Sequence, residues 1–259
     1  MNGIDVSHHQ GKIDWKSVAK TIQFAIIRSS HGKHETDRCW EQNYAAARLA
    51  GVPIGAYHYF YYGNKPAFDE EVQNFLNHLK GKHFDLPVFL DFEEEGKEYD
   101  PPLGAIDRVT LTNWAIEAFE KIRAAGFRPG LYANAYWMCK KLDMYAIPKD
   151  VCIWCADING VIDYTGRVDI HQYDFHGTVP GIAGGGVDLD RSLCSDAFLF
   201  GRAVLSGHVQ NLGWQDGSQT IGTVGQSLRL EAVKIDLPGI EYRAHVQDLG
   251  WLDWVASGQ

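Results

Sequence analysis

Along the first two-thirds of the chain, apolar and polar positions follow two rhythms. Short runs rich in β-branched and aromatic residues have the length and composition of strands: Ile4-Asp5-Val6-Ser7, Phe24-Ala25-Ile26-Ile27-Arg28, Pro53 to Phe60 and Pro87 to Glu93. Between them apolar residues recur at helical spacing. Cys39 to Ala50 places Trp40, Tyr44 and Ala47 on one face and is stopped by Gly51 and Pro53. Phe68, Val72, Phe75, Leu76 and Leu79 mark a second helix. Thr110 to Ala125 is a third, with Leu111, Trp114, Ala118 and Ile122 inward and Gly126 as its stop. Gly130 to Ala133 reads as a fifth strand, followed by a short helix around Tyr136 to Leu142. Beyond it the helical rhythm fades. Val151 to Ala156, Asp169 to Tyr173 and Val187 to Leu189 read as three more strands with little helix between them. Eight strands, with helices mainly after the first five, predict an α/β barrel with an incomplete helical ring.

Around Arg202 the character changes. His208-Val209-Gln210-Asn211-Leu212-Gly213-Trp214 is echoed by His245-Val246-Gln247-Asp248-Leu249-Gly250-Trp251, at an offset of 37 positions that suits a repeat unit. The chain therefore divides into a barrel, 1–202, and a small β-rich repeat module, 203–259, with one copy and a partial second.

Composition sets the limits. The 259 residues are 45% hydrophobic and 22% charged, which leaves room for a barrel of roughly 200 to 250 residues plus a small module. A net charge of −9 argues against a nucleic-acid partner, and equally against capture by an anionic wall through charge alone. No stretch is long and apolar enough for membrane insertion. Met1-Asn2-Gly3-Ile4-Asp5 has neither the basic nor the apolar region of a secretory signal, so synthesis in the cytoplasm is expected. Five cysteines without framework spacing are expected to be free thiols.

The sharpest chemical feature is Asp91-Phe92-Glu93 at the end of an apolar strand. Side chains alternate along a strand, so the two carboxylates share a face, with Cα atoms roughly 6.5 Å apart. Two carboxyls at a barrel mouth are what glycoside hydrolysis needs: one protonated for the leaving oxygen, one ionised against developing positive charge. A solvated acidic cluster is the competing reading, because Glu94 and Glu95 continue the run. Asp5 ends the first strand and Asp188 lies near the last, and these strands are neighbours in a closed barrel. Tyr57, Tyr59, Tyr61, Tyr132, Trp154 and Tyr173 stand at strand ends, where each either stacks on sugar or fills the barrel. Cys152-Ile153-Trp154-Cys155 has CxxC spacing but no second ligand pair and lies on a strand, so buried free thiols are expected. His8-His9 suits a polar role at the mouth, and Gly184-Gly185-Gly186 precedes no phosphate-binding helix. No metal and no cofactor is expected.

These residues resemble a known family. Gly3-Ile4-Asp5-Val6-Ser7-His8-His9-Gln10-Gly11 followed by Ile13-Asp14-Trp15 is similar to the opening of family 25 glycoside hydrolases, the phage and bacterial N-acetylmuramidases. Gly55-Ala56-Tyr57-His58-Tyr59-Phe60, Val88-Phe89-Leu90-Asp91-Phe92-Glu93, Gln172-Tyr173 and Val187-Asp188-Leu189-Asp190 resemble later motifs of that family, in order, over about residues 1 to 200. The resemblance implies a (β/α)5(β)3 TIM-like barrel that cuts the β-1,4 bond after N-acetylmuramic acid in bacterial peptidoglycan. It implies Glu93 as general acid, Asp91 as the carboxylate that steadies the N-acetyl group or the oxocarbenium-like centre, and Asp5 and Asp188 as flanking acids. Tyr57, Tyr59, Tyr132, Trp154, Gln172 and Tyr173 are the expected substrate contacts. His171 stands where the family often has Trp, and Trp154-Cys155-Ala156-Asp157-Ile158 where Trp-Ile-Ala-x-Tyr is common; both departures touch subsite contacts rather than the acid pair.

The C-terminal copies resemble clostridial hydrophobic repeats with a signature Gly-Trp, which implies wall attachment. Trp214 and Trp251 then either contact the wall or fill the core of the module, and self-association through the repeats is a further expectation. A lytic barrel with a wall-targeting tail and no signal peptide resembles a phage endolysin, made in the host cytoplasm and released through a holin-type pore. Two competitors stand beside this reading: a non-catalytic wall-glycan-binding protein, and a glucosaminidase or chitinase-like glycosidase.

Overall fold

The computed structural model describes residues 1–93, 101–158, 162–183, 186–218, 220–237, 241–246 and 248–256. Glu94, Glu95, Gly184, Gly185 and Gln247 lie outside the described residues. The chain forms two compact units, Met1–Cys194 and Ser195–Gln259. The division falls ahead of the boundary expected after Arg202, because a short helix, Asp196–Phe200, belongs to the second unit.

The first unit is one sheet closed on itself. Its strands are β1 (Asn2–Val6), β2 (Phe24–His31), β3 (Glu35–Thr36), β4 (Ile54–Tyr59), β5 (Val88–Phe92), β6 (Pro129–Asn134), β7 (Cys152–Ala156), β8 (Ile170–Gly177) and β9 (Val187–Ser192). The order is β1-β9-β8-β7-β6-β5-β4-β2-β3, and pairing of β1 with β2 closes an eight-strand barrel to which the two-residue β3 is appended. Barrel neighbours β1, β2, β4, β5, β6, β7 and β8 pair in parallel, while β9 runs antiparallel to both β8 and β1, and β3 antiparallel to β2. Helices α1 (Trp15–Val18), α2 (Trp40–Leu49), α3 (Lys65–Leu79), α4 (Arg108–Ala124) and α5 (Ala135–Lys140) fill the first five crossovers. Among the described residues the β7–β8 and β8–β9 connections carry no helix. This is the (β/α)5(β)3 arrangement.

The period of two sorts each strand into two faces. Ile4, Val6, Ala25, Ile27, Ile54, Ala56, Val88, Leu90, Phe92, Leu131, Ala133 and Ile153 form one buried cluster with helix residues such as Phe68, Phe75, Leu111, Phe119 and Ile122. Burying each large side chain of this layer contributes about 1.5–3 kcal/mol. The opposite face fills the barrel with Phe24, Phe89 and Trp154. Two glycines make room for them: a Cβ on Gly3 would overlap the Phe24 ring, and one on Gly130 the Phe89 ring.

Helix starts follow the caps. Asp107 accepts the N–H groups of Val109 and Thr110, so α4 begins at Arg108, earlier than the expected Thr110. Asn64 caps α3 through Ala67 N at 3.0 Å, and Asn134 caps α5 through Trp137 N at 2.9 Å. β8 continues past the expected end at Tyr173 to Gly177, with register irregularities at Gln172/Asp174 and Asp174/Gly177.

The second unit contains α6 (Asp196–Phe200) and a three-stranded antiparallel sheet, β10 (Val204–Val209), β11 (Gly213–Ser218) and β12 (Leu230–Asp236), in the order β11-β10-β12. Two short pairs follow: β13 (Glu241–Tyr242) with β16 (Val255–Ala256), and β14 (His245–Val246) with β15 (Gly250–Trp251). The sequence repeat is a repeated hairpin turn. His208 pairs Trp214 and Val209 pairs Gly213, and in the second copy His245 pairs Trp251 and Val246 pairs Gly250. Asn211 (φ 64°) and Gly213 (φ 81°), then Asp248 (φ 66°) and Gly250 (φ 80°), take the same left-handed positions. Asn, Asp and Gly are the residues that tolerate this conformation, which explains why the copies differ only by Asn211 for Asp248 over these seven positions.

Candidate active site

The carboxyl ends of the parallel strands surround a cavity of about 190 Å³. Asp5, Ser7, His9, Gln10, Arg28, Tyr57, Tyr59, Asp91, Glu93, Tyr132, Trp154, Gln172 and Asp188 line it. Four of these are lateral neighbours on consecutive strands: Tyr59 pairs Asp91, Asp91 pairs Tyr132, and Tyr132 pairs Trp154. Asp91 is the fourth residue of β5 and is buried; Glu93 follows the strand by one residue, reaches the same cavity and is half-buried. Asp5 and Asp188 pair directly across β1 and β9. Because β9 runs antiparallel, the start of that strand, with Asp188, stands at the mouth where β1 ends. The cavity is smaller than the roughly 300–1,000 Å³ of sites that enclose a whole small ligand.

The acids lie in a strongly polarised setting. Burial pushes the Asp5 carboxyl well above the usual range; Asp190 and Asp188 add to this, and the Gln172 amide, donating Nε2 to Asp5 Oδ2 at 2.6 Å, opposes it. Asp188 is pushed up to about 6, first by burial. Burial also raises the Tyr57 and Tyr132 phenols, so both remain neutral hydrogen-bonding groups. Tyr132 donates its hydroxyl to Gln172 Oε1 at 2.7 Å, which orients the amide nitrogen toward Asp5.

The other side of the cavity carries donors. Arg28 is buried, donates Nε to Asp37 Oδ2 at 2.9 Å and lies with Nη2 2.5 Å from His8 Nδ1. The same ring nitrogen lies 3.0 Å from Asp37 Oδ2, so His8 Nδ1 faces both the guanidinium and the carboxylate. Asp37 also accepts the His8 and Cys39 N–H groups. Burial pushes Asp37 up, but these bonds and Arg28 outweigh it and hold the carboxylate below its usual range. Among the described residues lining the cavity, Arg28 is the one permanent cation. Glu71 of α3 supports the adjacent wall, accepting the Tyr61 and Tyr62 N–H groups at 2.9 and 3.2 Å.

A barrel mouth with this set of carboxylates and aromatics narrows the choice of family, and the comparison with known proteins decides it. Residues 4–182 match the sequence model of the glycosyl hydrolases family 25. The chain belongs to this family. Residues 208–239 match the Clostridial hydrophobic W repeat. The family 25 chain is 33% identical over 153 residues to the uncharacterized protein YegX of Escherichia coli K12, covering 56% of this chain and 52% of YegX. It therefore spans about half the length of that relative. It is 27% identical over 259 residues to an autolytic lysozyme of Clostridium acetobutylicum, covering 96% of this chain and 72% of the relative. Its fold is similar to that of a family 25 glycosyl hydrolase from Bacillus anthracis, with a TM-score of 0.65 at 23% identity over 75% of this chain and 89% of the other.

Not every expected contact of the family 25 barrel faces the cavity. Tyr173 does not line it; with Gln172 turned inward, the next residue turns away, and its ring lies under the Arg191 guanidinium at 5.3 Å. Tyr61 stacks on Tyr59 at 4.9 Å from outside the lining set. Trp154 is floor rather than open platform: it is buried, packed edge-on against Tyr132 and Phe89, with Nε1 donating to Asp190 Oδ1 at 2.8 Å. His171, at the family's frequent Trp position, is buried with Nε2 2.8 Å from the Asp157 carbonyl. Cys152 and Cys155 are buried free thiols on β7, and burial raises the Cys155 thiol to about 12. The sequence reading missed Arg28, although it ends an apolar run as Asp5 does, and Asp190, although it is two residues from Asp188 and so shares its face. Ser7 and Gln10, from the opening motif, also line the cavity.

Proposed function

We propose that this protein is an N-acetylmuramidase that hydrolyses the β-1,4 bond between N-acetylmuramic acid and N-acetylglucosamine in peptidoglycan. The observation that carries the reading is the convergence of Asp91 and Glu93, with Asp5 and Asp188, on one cavity at the barrel mouth. Glu93, half-buried at the rim, gives its proton to the leaving oxygen. Asp91, buried below it, opposes the positive charge that grows at the anomeric carbon or steadies the N-acetyl group. Tyr57, a neutral phenol beside the acids, orients the sugar, while Tyr132 spends its hydroxyl proton on holding Gln172. The name of the Clostridium relative, autolytic lysozyme, supports the same substrate.

The repeat unit attaches the enzyme to the wall. Trp214 and Trp251 are exposed, which favours ligand contact over a core role. An endolysin role with release through a holin-type pore belongs to this proposal. Expressing cells would then lyse only when a holin is supplied. Self-association through the repeats would appear in light scattering as a mass above that of one chain.

The deciding experiment digests purified peptidoglycan, reduces the products with borohydride and reads the new ends by mass spectrometry. Muramitol ends are expected. Glucosaminitol ends would overturn the bond assignment in favour of a glucosaminidase, and wall binding with no new ends would leave a glycan-binding protein.

A further inference from the structure

Below the cavity lies a carboxyl that the proposed chemistry does not use. Asp190 is 0% exposed, outside the cavity lining, and shares with Asp188 the inner face of β9. Its Oδ1 accepts the Trp154 indole N–H at 2.8 Å. Its Oδ2 receives no hydrogen bond from an N–H or neutral hydroxyl among the described residues. Asp5 stands diagonally across the β1–β9 ladder from Asp190 and directly opposite Asp188, and its carboxyl is in hydrogen-bonding contact with both. Asp5 is fixed from its other side by Gln172, which is fixed in turn by Tyr132. Two buried carboxyls in contact cannot both be ionised without a cation between them, and sharing a proton resolves the conflict.

We propose that Asp5 and Asp190 share one proton at neutral pH, so that Asp190 is a positioning residue holding Asp5 on the Gln172 amide and removing one negative charge from the mouth. The groups that bear most on the pair are acidic or neutral. Asp188 faces it from β9 and Asp91 from β5, and the Tyr57 and Tyr132 phenols lie near Asp5 from β4 and β6. On β8, Gln172 donates to Asp5, while Asp174 and His176 act on Asp188. Burial, then mutual repulsion, pushes both carboxyls well above the ordinary range. The proton belongs to the pair: Asp5 has more acidic neighbours, and Asp190 is the more deeply buried.

The test is a stability cycle on the full chain, with unfolding measured from about pH 4 to about pH 8. A carboxyl raised by folding has its full stability below its unfolded value, 3.8, and loses it as pH rises toward the folded value. Replacing either partner by Asn removes that ionisation. The D190N variant should therefore gain in Tm relative to the wild type as pH rises. D5N should show the same trend, and the D5N/D190N double variant should add nothing to it. A pH-independent difference, or a double variant whose trend is the sum of the singles, would overturn the shared proton. D5N alone reads the titration if D190N does not fold. Only one further readout rests on the muramidase reading: D190N should keep turnover with a displaced pH profile, whereas an unchanged profile would remove Asp190's link to the site. A wild type that turns over no wall would refute that reading and leave the stability cycle able to decide the pair.

Discussion

The two units use tryptophan in opposite ways. In the barrel Trp40, Trp137 and Trp154 are buried below 2% exposure, whereas in the repeat unit Trp214, Trp251 and Trp254 are 56%, 61% and 58% exposed. The barrel has a layer on each side of its sheet and can enclose an indole. The repeat unit offers three short strands and two two-residue pairs, with Val209 and Leu199 among its few fully buried side chains. So small a core leaves large rings at the surface. In the barrel an indole therefore arranges carboxylates, as Trp154 does for Asp190. In the repeat unit it stands against a histidine, edge to face, at 5.7 Å for His208–Trp214 and 5.2 Å for His245–Trp251, with most of its surface open. Arg243 stacks on Trp251 and Trp254 at 4.5 and 4.6 Å. The difference separates a barrel whose aromatics build the candidate site from within from a unit whose aromatics stand open at the surface.

Substitutions can break this comparison, starting with the largest effect. Glu93→Gln should lower turnover of peptidoglycan by about 10²–10⁴-fold with an unchanged melting temperature, the rim position costing little to alter. Full activity in a wall-turbidity assay would remove Glu93 from the acid role. Trp154→Ala should destabilise the barrel by about 3–5 kcal/mol in denaturant titration, since it empties the floor and strips Asp190 of its donor. Acid should separate the units next. His58 is buried against Phe60 and Phe75, and burial, then His31 and His78, holds it well below its ordinary value of 6.5. A depressed histidine contributes its full stability above 6.5 and loses it as pH falls toward the folded value, the reverse of the Asp5–Asp190 trend. Melting followed from about pH 7 down to about pH 5 should show the wild type weakening more than His58→Gln. Trp214→Ala closes the series. Its stability cost should stay within about 0.5 kcal/mol, while co-sedimentation with wall weakens and turnover of soluble glycan fragments is unchanged. A large loss of stability there would make Trp214 a core residue after all and erase the contrast.

Much of the fold was legible because local rules produced it. The strand and helix rhythm anticipated the barrel elements, and errors fell at their ends. Asp107 extends α4, and an irregular register carries β8 past Tyr173. The acid pair was legible for the same reason, since a period of two puts Asp91 and Glu93 on one side. Which residue of β8 faces the cavity was less legible: Gln172 takes the inward place, and Tyr173 is not among the lining residues.

By itself the sequence determined which residues share a face, and why Asn or Asp and Gly recur in the two turns. Only the tertiary structure decided which faces meet. The antiparallel course of β9 brings Asp188 beside Asp5, Asp37 holds Arg28 at the mouth from outside its own strand, and Asp190 is set below the cavity against Asp5. The reason is physical. Alternation and turn chemistry act over a few residues and are written locally, whereas partners across a closed barrel are set by its strand order and register, which no single segment carries.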